Sequence, residues 1–202
     1  MKKTENTEER IINAAREVFL KKGMDGSRMQ EIADEAGINK SLLHYYFRSK
    51  SKLFEKVFTE TFKSLTFVIN NVFVTADSLE SLIKNFVVNY TAVLIDKPYI
   101  PIFVLHELSR NPQQFIELIS SSNFDKNKII SLVSAEDEDT IEAFDPIQII
   151  VDIIALCVFP FVAKPIIEGI IFDGSNDDYN NFIEHRTQHI IEFVNKAVFI
   201  KK

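Results

Sequence analysis

The sequence predicts an all-α protein, with a small N-terminal head of three helices joined to a larger helical body. Three observations carry this. Apolar residues recur at three- and four-residue spacing along most of the chain. Only 5 glycines and 6 prolines interrupt 202 residues, with few alternating β-branched runs. Capping residues stand just ahead of the apolar stretches. Hydrophobic residues make up 46% of the chain, enough to bury a sizeable core.

The first helix is expected to begin at Asn6, with Glu9 completing a capping box. Ile11, Ile12, Ala15, Val18 and Phe19 form its apolar face, and Gly23 stops it. Ser27-Arg28-Met29-Gln30 has the form of a second capping box, opening a helix that buries Met29, Ile32, Ala33 and Ala36 and ends at Gly37. Asn39 caps a third helix, with Leu43, Tyr46 and Phe47 facing inward. Two short helices around a glycine turn make a helix-turn-helix. Ser49 or Ser51 then caps a long fourth helix reaching about Thr75, striped by Phe54, Val57, Phe58, Phe62, Leu65, Ile69 and Val72. That divides the chain into a head over residues 1–50 and a body over residues 51–202.

In the body, helices are expected from Ser78 to Ile95, Pro98 to Arg110, Pro112 to Ser121 and Asp125 to Ser134. The acidic run from Glu136 to Asp139 lacks calcium-ligand spacing and reads as a solvated loop. Asp145-Pro146 starts a helix to Lys164 that is apolar on nearly every side, with Pro160 as a kink. Gly169 to Asn176 breaks the pattern, and Asp177 or Asp178 starts a last helix to about Ile200.

Charge is distributed unevenly. The net charge is −6, yet residues 1–53 hold 11 Lys and Arg against 8 Asp and Glu, a net of +3, leaving −9 for the remainder. No acidic residue lies between Ala36 and Phe54, where Lys40, Arg48, Lys50 and Lys52 fall. A basic head on an acidic body suits a protein that meets phosphate at one end. A single cysteine, Cys157, excludes an intramolecular disulfide and fits a cytoplasmic setting. The N-terminus has no signal-peptide pattern, and the apolar run from Ile147 to Ala163 falls short of a membrane span.

In a helix-turn-helix the second helix enters the major groove of DNA, and its outward side chains read base edges. Here those are Asn39, Lys40, Ser41, His44 and Tyr45, with Leu42 at the border, open to either packing or a thymine methyl. Ser27, Arg28 and Lys50 are the candidate phosphate contacts. The stretch from Gly37 to Lys50, GINKSLLHYYFRSK, followed by Leu53-Phe54, resembles the signature of the TetR family of bacterial repressors. Ile11, Ala14, Ala15, Phe19, Gly23, Ser27, Ile32, Ala33 and Ala36 match that family's first two helices, so the resemblance covers roughly Glu8 to Phe58. It departs from the family at His44 and Tyr45, often tyrosine and histidine there, at Leu42, commonly a small residue, and at Arg28, often a hydroxyl residue.

The resemblance implies a repressor that binds an operator as a homodimer, through a four-helix bundle built from the last two helices of each chain. A helix apolar all round needs cover on every side, which agrees. The candidate interface residues are Ile153, Leu156, Cys157, Ile190, Phe193, Val194 and Ala197. It further implies a pocket in the middle helices for a small, largely apolar effector that releases the DNA, with Tyr90, Phe103, His106, Glu107, Phe124 and Phe159 as candidates. The fourth helix would be the lever between body and head.

The alternatives are a DNA-binding dimer governed by a protein partner or by nothing, and a ligand-binding module without DNA affinity. An enzyme is disfavoured: there is no glycine-rich phosphate loop, nucleophile elbow or cysteine motif. His185 and His189 stand four apart with no third ligand evident, so no metal and no cofactor are expected.

Overall fold

Asn6 opens the first helix as its capping box predicts. Its side-chain oxygen accepts the Glu8 N–H at 3.0 Å, and the Glu9 carboxylate accepts the Asn6 N–H at 3.1 Å. Two donors that a helix start leaves open are thereby satisfied. The computed structural model describes residues 6–136 and 145–199, except the side chains of residues 64, 73 and 114. Helix α1 (Thr7–Gly26) leaves helical geometry at Gly23, where φ is +66°. The glycine stop is therefore a kink with a further turn beyond it.

Helices α2 (Met29–Glu35), α3 (Lys40–Tyr46) and α4 (Lys50–Thr75) follow. The cap of α2 differs from the expected one. The Ser27 hydroxyl donates to the Met24 carbonyl at 2.7 Å, so it does not serve the α2 amides. Arg28 is the capping position instead, its N–H donating to the Glu31 carboxylate at 3.2 Å. Gln30 turns its amide to Asp34 at 2.7 Å. Gly37, at φ +64°, takes the chain out of α2 in a conformation glycine adopts without strain. Asn39 caps α3 by accepting the Leu42 N–H at 2.8 Å.

By its internal contacts the chain divides into two compact units, Met1–Ser64 and Leu65–Lys202, a division that lies within α4. In the first unit Ile11, Ala15, Phe19, Ile32, Leu43, Val57 and Phe62 are buried. Phe19 meets Phe54 edge-on at 5.1 Å, and Phe58 lies 4.3 Å from Phe62. Tyr46, expected inside, is 38% exposed. The change is local: α3 ends at Tyr46, while Phe47 takes an extended conformation and is buried as expected.

The second unit holds the end of α4 with α5 (Leu79–Asp96), α6 (Ile100–Arg110), α7 (Pro112–Ser120) and α8 (Lys126–Ser134). One cluster packs Val68 and Val72 of α4 against Leu82 and Ile129, with Phe86, Tyr90 and Ile150 beside it. Residues 137–139 of the acidic run lie outside the described residues.

Helix α9 (Pro146–Val162) is capped by Asp145, whose carboxylate accepts the Ile147 N–H at 2.8 Å. Pro160 sits inside it and offers no N–H to the Leu156 carbonyl four residues back. Arg186 supplies the missing donor, its Nη2 reaching that carbonyl at 3.2 Å. The chain bends by 60° after Val162 and continues as α10 (Lys164–Ile166) and a π-helical turn, Ile167–Ile171. Gly169 therefore lies within a helical turn rather than in a break. Helix α11 (Asn176–Val198) starts earlier than Asp177, because the Ser175 hydroxyl caps it by accepting the Asp178 N–H at 3.2 Å. Helices α5, α9 and α11 pack against one another. Among the described residues no single helix is long and apolar enough to cross a membrane.

Candidate nucleic-acid interface

Two buried side chains orient α3. Leu43, fully buried, and Phe47 fix the helix on the head's core, and the rest of its surface faces solvent. Lys40, Ser41, Leu42, His44 and Tyr45 are all exposed, Tyr45 at 81%. Lys40 and His44 share one side of the helix, as do Ser41 and Tyr45, since residues four apart stack. The structure thus brings the proposed base-facing set together on one face. Asn39 is exposed beside it with its side-chain oxygen committed to the cap, leaving the amide N–H groups to act as donors. Tyr46 adds an aromatic surface that the sequence did not announce, edge-on to Tyr45 at 5.6 Å.

The candidate phosphate residues divide. Arg28 is exposed. The Ser27 hydroxyl is not presented, for the residue is 2% exposed and bonded to Met24. Lys50 donates to the Ser27 carbonyl at 2.9 Å and the Asp25 carbonyl at 3.3 Å, tying the loop before α2 to the start of α4. Two of its three N–H donors are so engaged.

Arg10 braces the turn from the other side, its Nη2 donating to the Ala36 carbonyl at 2.7 Å. Lys22 joins α1 to α2 through Glu31 at 2.9 Å. That hydrogen bond, with the Arg28 N–H and the two cations, holds the Glu31 carboxyl below the usual range despite a smaller opposing effect of desolvation. Arg10 was missed because its partner is a backbone carbonyl, which has no identity in the sequence.

In the body, Phe103 and Glu107 are buried on α6, one turn apart, while His106 faces out. Tyr90 is half-buried in the cluster with Phe86. Phe124 and Phe159 are exposed, at 40% and 64%. Of the candidate interface residues, Ile153, Cys157, Ile190 and Val194 are buried within their own chain, and Leu156 is half-buried. Phe193 and Ala197 are exposed, as are Val151 and Ile154. Burial pushes the Cys157 thiol up to about 12, so it stays protonated and inert near neutral pH. Among the described residues no group of three or more His, Cys, Asp or Glu is placed to hold a metal ion.

Comparison with known proteins agrees with this head. Residues 11–57 match the model of the bacterial regulatory proteins of the tetR family. Over 127 residues the chain is 29% identical to the biofilm operon icaADBC HTH-type negative transcriptional regulator IcaR of Staphylococcus aureus (strain Newman). That match covers 61% of this chain and 64% of IcaR, just under two thirds of the relative's length. Over 180 residues, 86% of each chain, it is 23% identical to "Probable HTH-type transcriptional regulator YttP" of Bacillus subtilis (strain 168). The crystal structure of HlyIIR, a hemolysin II transcriptional regulator, superposes with a TM-score of 0.62 at 20% identity, covering 96% of this chain and 98% of that one. At that identity the likeness speaks for the fold alone. The head over residues 11–57 thus fits the model of the bacterial regulatory proteins of the tetR family, and the helical fold is shared along the chain's length.

Proposed function

We propose that this chain is a sequence-specific transcriptional regulator of repressor type, which grips an operator as a homodimer and lets go when its body takes up a small, largely apolar effector. The observation that carries the reading is the outward face of α3. Lys40, Ser41, His44 and Tyr45 project from a helix fixed by Leu43 and Phe47, in a stretch free of acidic residues from Ala36 to Phe54. Lysine, serine and histidine donors read base edges or phosphates, and Leu42 offers an apolar contact to a thymine methyl. Arg28 supplies a phosphate contact from the start of α2.

Support for the homodimer comes from the exposed apolar side chains of α9 and α11, with Val151, Ile154, Phe159 and Phe193 outside the chain's own core. A two-fold dimer presents two recognition helices to half-sites about one helical turn apart. An effector that binds better to another spacing weakens DNA binding, and DNA weakens its binding by the same factor. Repression, rather than activation, is favoured by the likeness to IcaR, whose name describes a negative regulator.

The test is fluorescence anisotropy with duplexes drawn from the DNA upstream of the protein's own gene, at two salt concentrations and against unrelated duplex. Specific binding should weaken with salt. It should fall at least tenfold in a Lys40→Ala/Tyr45→Ala variant, at about 1–3 kcal/mol for a base contact. No measurable affinity for any duplex at low salt would sink the reading.

A further inference from the structure

Among the described residues of the body, one interior cation stands without a carboxylate. Arg186, on α11, is half-buried, with its guanidinium carbon 5.6 Å from the centre of the Phe182 ring and its Nη2 on the Leu156 carbonyl. Its Nε–H is buried and meets no acceptor. The Leu156 carbonyl accounts for a donor at this position but not for a charge, since a neutral amide would serve it as well. A guanidinium drawn partly out of water is costly unless an anion faces it.

A second unused group stands on α5, which packs against α11. Tyr90 of α5 is half-buried against Phe86, ring centres 5.1 Å apart, and its hydroxyl bonds to none of the described residues. Burial drives its phenol well above the ordinary range, so it remains a donor. Tyr90, Cys157 and Arg186 stand on α5, α9 and α11, three helices that pack against one another. The residues that follow these two, Thr91 and Thr187, share a hydrogen bond at 2.8 Å, which fixes α5 and α11 in register at this level.

We propose that Arg186 and Tyr90 form the anchor for a carboxylate, and that the effector is accordingly a monocarboxylic acid on an apolar body. The planar guanidinium matches a carboxylate, offering its unpaired Nε–H, and the tyrosine hydroxyl is a donor for the remaining lone pairs. Phe182 beside Arg186, and the apolar cluster of Val72, Leu82 and Phe86 beside Tyr90, suit a hydrocarbon or aromatic body. This assignment rests on the proposed effector-controlled reading and gives the effector a chemical class.

Titration calorimetry of the full chain with decanoate and 1-naphthoate, each beside its neutral alcohol, tests the idea. At least one acid should bind tenfold or more tightly than its alcohol. Arg186→Gln removes the charge and should erase that preference, bringing the acid down to the affinity of its alcohol. Tyr90→Phe, which removes only a hydroxyl, should weaken the acid several-fold. Equal binding of acid and alcohol, no binding of either acid, or a preference that survives Arg186→Gln would overturn the proposal. Duplex binding by the ligand-free protein is measured alongside: its loss would remove the regulator reading, while the acid preference stands or falls separately.

Discussion

Gly37 and Arg10 act on the same contact. Gly37 sits in the left-handed region at φ +64°, and a Cβ added there would lie 3.2 Å from Arg10 Nη2, the atom that donates to the Ala36 carbonyl. Gly37→Ala should therefore cost about 1–2 kcal/mol, through backbone strain and a displaced guanidinium. Arg10→Ala should cost about 1 kcal/mol, below the usual range for a charged donor because the residue is exposed. Since both disturb one hydrogen bond, the double variant should lose less than the sum in urea unfolding; strict additivity would show that the contact is not shared. Gly37 was legible in the sequence as a helix stop, while Arg10 was not. The same limit explains Ser27. Two capping patterns, Ser27 to Gln30 and Arg28 to Glu31, are offset there by one residue, and what decides between them is the Met24 carbonyl, brought to Ser27 by the turn after Gly23.

A helix has a readable phase when its residues differ and none when they are alike. Helix α11 alternates apolar and polar positions, so Ile190, Phe193, Val194 and Ala197 could be placed on one stripe, of which Ile190 and Val194 are buried and Phe193 and Ala197 exposed. Helix α9 is apolar nearly throughout, and its sequence gave no sign that Ile153 and Cys157 face inward while Val151 and Ile154 face out. The interface candidates chosen from it fell largely on the inner side for that reason. Helix starts were far more legible, because a cap is a local pairing of a short polar side chain with an amide two or three residues on. Asn39 permits a test of one. Asn39→Ala should lower stability by about 1 kcal/mol in urea unfolding, whereas Asn39→Ser keeps a capping oxygen and should stay within about 0.5 kcal/mol of the parent. Equal losses would mean that the cap does not hold α3.

For the whole molecule, the proposed homodimer makes a prediction about Phe193. Its ring is 55% exposed, so Phe193→Asp should leave the single chain folded. Sedimentation should then show a monomer, and operator affinity should fall at least a hundredfold, because one head grips one half-site. A variant that remains dimeric with full affinity would place the interface elsewhere. The outward side chains of α9 and α10 have one more consequence, which concerns supply rather than recognition. A chain alone exposes Val151, Ile154, Phe159 and Ile166 to water, and such a surface is what chaperones and proteases detect in unfinished proteins. Pairing obeys mass action, so the lifetime of each copy should lengthen as copies accumulate. A cell making very little of this protein would then clear it, while one making somewhat more would keep it.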